Sequence, residues 1–422
     1  MEQLFTLSIA MMAGLLMSRI AKVLKLPAVT AYLVSGILIG PYLLGQLGIR
    51  GLGFVSAENV KEYSIFCDVA LGFIAFDIGN EFRLSQLRAI GKQATVIAFT
   101  QALSATILVD AAMIGLHFLM PDVVSLSMAL ILGAIATATA PAATLMVVRQ
   151  YKAKGPLTSI LLPIVALDDA IGLVVFAVSC GIANALESGV ISIVSVLVEP
   201  LLEVVLSMLL GSLMGLLLTI AERYFESNSR RLSIVITFVL FTVALSMLKF
   251  EAGGIEIGFS SLLVCMMLGT IFCNICDFSE DMMARADKWT APLFVLFFVL
   301  SGAELELGVF TNLAIVGIGI AYILFRSGGK CIGAFIGAKW MHCGDTIRKY
   351  LGITLLPQAG VALGMSMTVT QTMGEPGRLI RNITLFSVLI YELAGPLMTK
   401  LALMKAGEIS PRPEIIKHPN KE

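Results

Sequence analysis

The sequence predicts an all-α membrane protein of about 13 transmembrane helices, arranged as an inverted repeat around two crossing broken helices. Three observations lead to that class. The first is composition: of 422 residues, 58% are hydrophobic and 14% charged, with a mean hydropathy of +0.93. A water-soluble domain carries roughly a quarter of its residues charged, so lipid is the solvent for most of this chain. The second is a succession of apolar stretches of the length, roughly 20 residues, that a helix needs to cross a bilayer. The third is a pair of mid-span prolines in two segments that run in opposite directions.

The predicted spans lie near 4–21, 28–46, 64–81, 94–118, 123–148, 157–185, 193–221, 232–249, 256–274, 290–308, 312–338, 347–372 and 379–400. They make one transmembrane domain over 1–405, and 406–422 reads as a short polar cytoplasmic tail. Met1-Glu2-Gln3 has neither the basic start nor the cleavage pattern of a signal peptide, so the first span is retained. Alternate loops are rich in Lys and Arg. Arg19, Arg83, Arg149, Arg230, Arg285, Lys339 and their neighbours, with the tail, put twenty-two basic residues on one side against five on the other. The positive-inside rule then places the N-terminus outside and the C-terminus in the cytoplasm. The net charge is zero, which gives no footprint for nucleic acid. The seven cysteines are scattered through apolar stretches, and Cys273-Asn-Ile-Cys276 has no second pair to complete a zinc site. No cofactor is expected.

Helix 5 contains Thr137-Ala-Thr-Ala-Pro141 and helix 12 contains Leu355-Leu-Pro357-Gln-Ala-Gly360. Proline removes a backbone donor and crowds the preceding turn, so both helices should unwind there. Unwound backbone at membrane depth survives only where protein or a cavity surrounds it. Two such helices in opposite orientation mark the substrate site of inverted-repeat transporters, although Pro kinks in spanning helices are also common without function.

Ionisable residues inside a membrane are costly and mark function by default. Asp168-Asp169 sit together in the apolar stretch of helix 6. Neighbours on a helix are turned about 100° apart, so one carboxylate can face an ion while the other faces a protein partner. Lys330 lies among small residues at 329, 333 and 337, a smooth face that another helix can approach closely. Counted from the inner helix ends at ~1.5 Å per residue, Asp168 is about 18 Å deep, Lys330 about 14 Å, and Thr139 and Pro357 about 15 Å. Carboxylates, lysine and breaks therefore share one slab near the midplane. Thr137 and Gln358 flank the breaks as further polar candidates. Asp77 and Glu81 either line an inner vestibule or solvate a helix end. Glu392, deep in helix 13, pairs with Arg326 or caps a break. Glu304 and Glu306 read as wet residues at an outer helix end.

These residues resemble a family. Leu26-Pro27 with Gly36-Ile-Leu-Ile-Gly-Pro41, Phe76-Asp-Ile-Gly79, the helix 5 Thr-Ala-Pro, Asp168-Asp169, Gly329-Lys330, Leu356-Pro-Gln-Ala-Gly360, Glu392-Leu-Ala-Gly-Pro396 and Ala406-Gly-Glu-Ile409 are together similar to the Kef-type branch of the monovalent cation/proton antiporters. The resemblance implies a mobile six-helix core, about 94–185 and 312–400, moving against a dimerisation scaffold made by the remaining helices. It implies a homodimer in a bacterial or archaeal plasma membrane. It implies a transported cation bound at Asp169, with Asp168 pairing to Lys330 and Thr139 as a possible ligand. An Asp pair goes in that family with electrogenic Na+(Li+)/H+ exchange. Ala140 stands where some relatives carry an acid, so helix 5 brings no acidic ligand. The expected function is thus a secondary active cation/proton antiporter, not an enzyme, with monovalent cation, protons and the lipid bilayer as its partners. The alternatives are K+/H+ exchange on the same scaffold and Na+-coupled symport of an organic anion.

Overall fold

The computed structural model describes residues 2–24, 28–48, 53–80, 82–84, 91–140, 144, 147–148, 151–187, 198–225, 227–248, 250–252 and 255–409. Its principal helices are α1 (Glu2–Leu24), α2 (Ala28–Ile39), α3 (Ser64–Asn80), α4 (Lys92–Leu119), α5 (Leu126–Ile135), α6 (Pro156–Glu187) and α7 (Glu199–Glu222). There follow α8 (Asn228–Ser246), α9 (Ser261–Ile275), α10 (Ser279–Ala303), α11 (Leu313–Trp340), α12 (Asp345–Thr354) and α13 (Gly360–Lys405). The described residues are almost wholly helical. The exception is an antiparallel hairpin of β1 (Phe250–Ala252) and β2 (Ile255–Ile257) between α8 and α9, which the apolar pattern does not announce.

Nine described helices are long and apolar enough to cross a membrane, against the thirteen spans predicted. The difference has physical causes. α3, α5 and α9 fall short of a full span; α3 has 17 residues, α5 stops at the break before Pro141, and the hairpin takes up the start of the span expected at α9. α13 is two helices that follow each other without a loop, so two predicted spans count there as one. Its joint is Gly374, at φ 56 and ψ −121, a left-handed backbone that glycine adopts without penalty. Pro141 and Glu81 lie outside the described residues, as does the expected tail beyond Ile409.

Two sets of helices pack mainly within themselves. α4, α5, α6, α11, α12 and α13 form one, and α1, α2, α3 and α7 to α10 the other. The tightest seam is between α4 and α11. A methyl added at Gly329 would meet Ala105 Cα at 2.6 Å, at Gly333 Gln101 Cα at 2.5 Å, and at Gly337 Ile97 Cα at 3.0 Å. The order shows that the helices run antiparallel, backbone against backbone. Small residues allow that approach where no water-driven hydrophobic force acts between helices.

That seam can be tested. Gly333→Val should lower stability by about 1–3 kcal/mol through overpacking, read as a reduced melting temperature of the detergent-purified protein. Gly317→Val, at a position with open space around it, serves as the control and should leave the melting temperature unchanged.

Candidate functional site

Two helices stop in the middle of the protein. α5 ends at Ile135, α12 ends at Thr354, and residues 136–140 and 355–359 are non-helical. The last carbonyls of a helix have no partner within it and carry the negative end of its dipole. Here the two broken segments cross and partly satisfy one another. Ala140 N donates to Pro357 O at 2.8 Å and Thr144 Oγ1 to Thr354 O at 3.0 Å, and Thr139 Oγ1 lies 3.3 Å from Leu355 O. Gln358 Nε2 donates to Ile135 O at 2.9 Å and to Tyr322 Oη at 3.1 Å, while Ser387 Oγ donates to Gln358 Oε1 at 3.2 Å. The predicted ligand Gln358 is thus committed to holding the crossing.

α11 supplies the positive charge that the open carbonyls require. Arg326 is fully buried and donates through Nε to Ala136 O (3.1 Å), through Nη1 to Leu356 O (2.7 Å) and through Nη2 to Ala138 O (2.6 Å). Its guanidinium also lies 4.5 Å from the centre of the Tyr391 ring. One turn further along the same face, Lys330 is fully buried and its Nζ donates to Thr137 O. A rigid fork of donors suits three divergent carbonyls, and a compact ammonium suits a single point of contact.

Lys330 has a second task. Its Nζ lies 2.7 Å from Asp168 Oδ2 and 2.8 Å from Thr139 Oγ1. Thr139 Oγ1 donates to the same Oδ2, and Gln101 Nε2 of α4 donates to Oδ1. Asp168 is completely buried and has three donors on its two oxygens. A buried ion pair is tolerable only when such further hydrogen bonds repay the loss of water. Asp169 is also buried, 2% exposed, and lies within electrostatic reach of Lys330.

The structure brings Asp168, Asp169, Lys330, Thr137, Thr139, Pro357 and Gln358 into one place, as their depths predict. It separates others. Glu392 takes neither expected role: Arg326 spends its donors on carbonyls, and Glu392 Oε2 instead accepts from Thr30 Oγ1 of α2 at 3.3 Å. Asp77 lies instead within electrostatic reach of Asp287 of α10. Glu304 is not simply wet, since Oε2 lies 2.5 Å from Nε of the buried Arg381. Sequence reasoning missed Gln101. The only signal for it was its place, four residues from Ala105, on the face that meets the 329–333–337 stripe.

Comparison with known proteins fits this geometry. Residues 7–405 match the sequence model of the family described as sodium/hydrogen exchanger, transmembrane. The chain is 24% identical over 406 residues to a protein of Bacillus subtilis (strain 168) named K(+)/H(+) antiporter subunit KhtU, covering 94% of this chain and 92% of the relative. Its fold is similar to the structure of the sodium proton antiporter MjNhaP1 from Methanocaldococcus jannaschii at pH 8, with TM-score 0.74, 19% identity and coverage of 98% and 100%. An electron-microscopy map of the same antiporter matches with TM-score 0.70 and 17% identity over 96% and 98%.

Lys330→Met should cost about 3–5 kcal/mol of stability, because it leaves a buried carboxylate without its cation. Adding Asp168→Asn should restore most of that loss, since the charge is then gone as well. Thermal unfolding of the two single variants and the double variant measures the coupling.

Proposed function

The chain belongs to the sodium/hydrogen exchanger family and is a cation/proton antiporter of the membrane; we propose that its exchange runs through Asp169 with Asp168 and Lys330, and that its cation is Na+ or Li+. The observation that carries this reading is the buried Asp168–Lys330 pair beside Asp169 at the crossing of two broken helices. Cation and protons compete for Asp169. Either one neutralises the site, and a neutral site crosses the low-dielectric barrier more cheaply than an empty charged one. In the cation-free state Lys330 and Asp168 satisfy each other. Cation arrival draws Asp168 away, and Lys330 gives up a proton as its partner leaves, so that more than one proton is exchanged for one cation and the cycle moves net charge.

The moving body in this proposal is the set α4, α5, α6, α11, α12 and α13, and the remaining helices are the scaffold on which two copies pair. α1 and α7 support that role with rows of exposed large apolar side chains, among them Leu4, Phe5, Leu16, Leu209 and Leu213. A cavity of about 320 Å³ lies between the two sets, lined by Asp68, Phe176, Asn184, Glu203 and Gln371. With the N-terminus outside, this cavity is on the outer side. On the other side of the crossing, Val29 packs on Ala140 and Ala359, and Thr30 reaches Glu392. In this proposal the cavity is the outer entrance and the inner side of the crossing is covered, in a plasma membrane with the C-terminus in the cytoplasm.

The relative named for K+/H+ exchange favours K+ as the second reading. Proteoliposome exchange with Na+, Li+ and K+, with and without a clamped membrane potential, separates the two. Asp169→Asn is expected to abolish exchange of whichever cation is carried. Full activity in that variant would overturn the proposed site, and potential-independent exchange would overturn the electrogenic cycle.

A further inference from the structure

Glu408 lies outside the ion site, just past the end of α13, and only 8% of its surface is exposed. Its carboxylate sits on the beginning of α6. Leu157 N donates to Oε1 at 2.6 Å, and Thr158 N and Thr158 Oγ1 donate to Oε2 at 2.8 and 2.6 Å. The backbone joins in, with Lys154 N donating to Glu408 O at 3.3 Å. The first amides of a helix have no partner within it and carry its positive end. Here a residue some 250 positions away supplies the cap that a neighbouring Ser or Asp ordinarily provides. Gly155 leaves room for it, since a methyl there would meet Glu408 Cδ at 2.3 Å. Around the cap, Leu403 and Ile409 pack in one cluster with Leu157, Leu161 and Ile164.

We infer that Glu408 is a positioning residue for the ion site, fixing the axial register of α6 against α13 and so the placement of Asp168 and Asp169 at the crossing. α6 carries both carboxylates as one continuous helix from that cap. Their partners are not on α6: Lys330 is on α11, Gln101 on α4 and Thr139 in the break after α5. A slip of α6 along its axis therefore changes every one of those distances together. The cap is a polar contact at the inner end of α6 that resists a slip, because hydrophobic packing is non-directional and three hydrogen bonds to one carboxylate are not. The inference rests on the reading that Asp168 and Asp169 carry exchange.

The test uses the full chain in proteoliposomes, with folded protein quantified for each variant. Glu408→Gln keeps the size of the side chain and one acceptor oxygen but puts an amide NH2 against the other backbone N–H, so it should shift exchange in the same direction as Glu408→Ala. Both should raise the apparent KM for the transported cation at least threefold and move the pH profile of exchange, and Gly155→Ala, which evicts the carboxylate from the other side, should do the same. Glu408→Asp, which keeps the charge, should recover part of the shift. Combining Gly155→Ala with Glu408→Ala should add little, because both break one contact. Wild-type KM and pH profile in Glu408→Ala would overturn the inference and leave the proposed site intact. So would a loss of folded protein with unchanged KM in what remains. Full exchange in Asp169→Asn would instead overturn the reading of Asp168 and Asp169 on which it rests.

Discussion

Everything at the centre of this protein depends on satisfying the carbonyls of two helices that stop in mid-membrane. A helix end in water can bond to solvent, but one in lipid must find donors within the protein. The chain answers with two cations on one face of α11. Arg326 binds three carbonyls from both broken segments, and Lys330 binds a fourth. The division of labour follows from their chemistry. The guanidinium cannot lose its proton in a protein, so it is the permanent part of the structure, whereas an ammonium can. The titratable cation is the one that touches Asp168.

The same reasoning explains why the carboxylates are where they are. Two buried cations beside the open carbonyls call for anions, and Asp168 is the one that Lys330 holds directly. Asp169, buried on the same helix and within electrostatic reach of Lys330, is the second carboxylate there. Thr139 sits at the meeting point of all these demands: its hydroxyl donates to Asp168, lies 3.3 Å from Leu355 O and accepts from Lys330.

Much of this was legible in the sequence because membrane segments make polar residues conspicuous. Asp168, Asp169, Lys330 and the two prolines are anomalies against an apolar background, and depth alone was enough to bring them together. What stayed hidden was pairing. Gln101 is an unremarkable polar residue in α4, and its contact with Asp168 follows only once α4 is known to lie along α11. Glu392 was visible as a buried acid, but its partner Thr30 is a threonine some 360 residues away, with no charge to suggest it. Glu408 and the Glu304–Arg381 pair sit near helix ends, where solvation is the ordinary reading of a charge. The span count differs for another reason: hydropathy places the joint between its last two spans around Gly374, where the backbone does turn, but it cannot see that helix 5 stops in mid-membrane or that a hairpin precedes α9.

The close seam between α4 and α11 has a consequence beyond packing. Gly333 meets the backbone of Gln101, the same residue whose amide holds Asp168. The contact that sets the distance between two helices and the contact that orients a carboxylate thus share one residue, with no flexible side chain between them to absorb a change. On α11 the cations recur every four residues at 326 and 330, and the small residues recur every four at 329, 333 and 337. These are adjacent rows on one cylinder. Tolerance to substitution along this helix should therefore look like a comb, with closely set teeth on one side and open gaps on the lipid face. A natural variant falling on a tooth would damage assembly and ion handling at once.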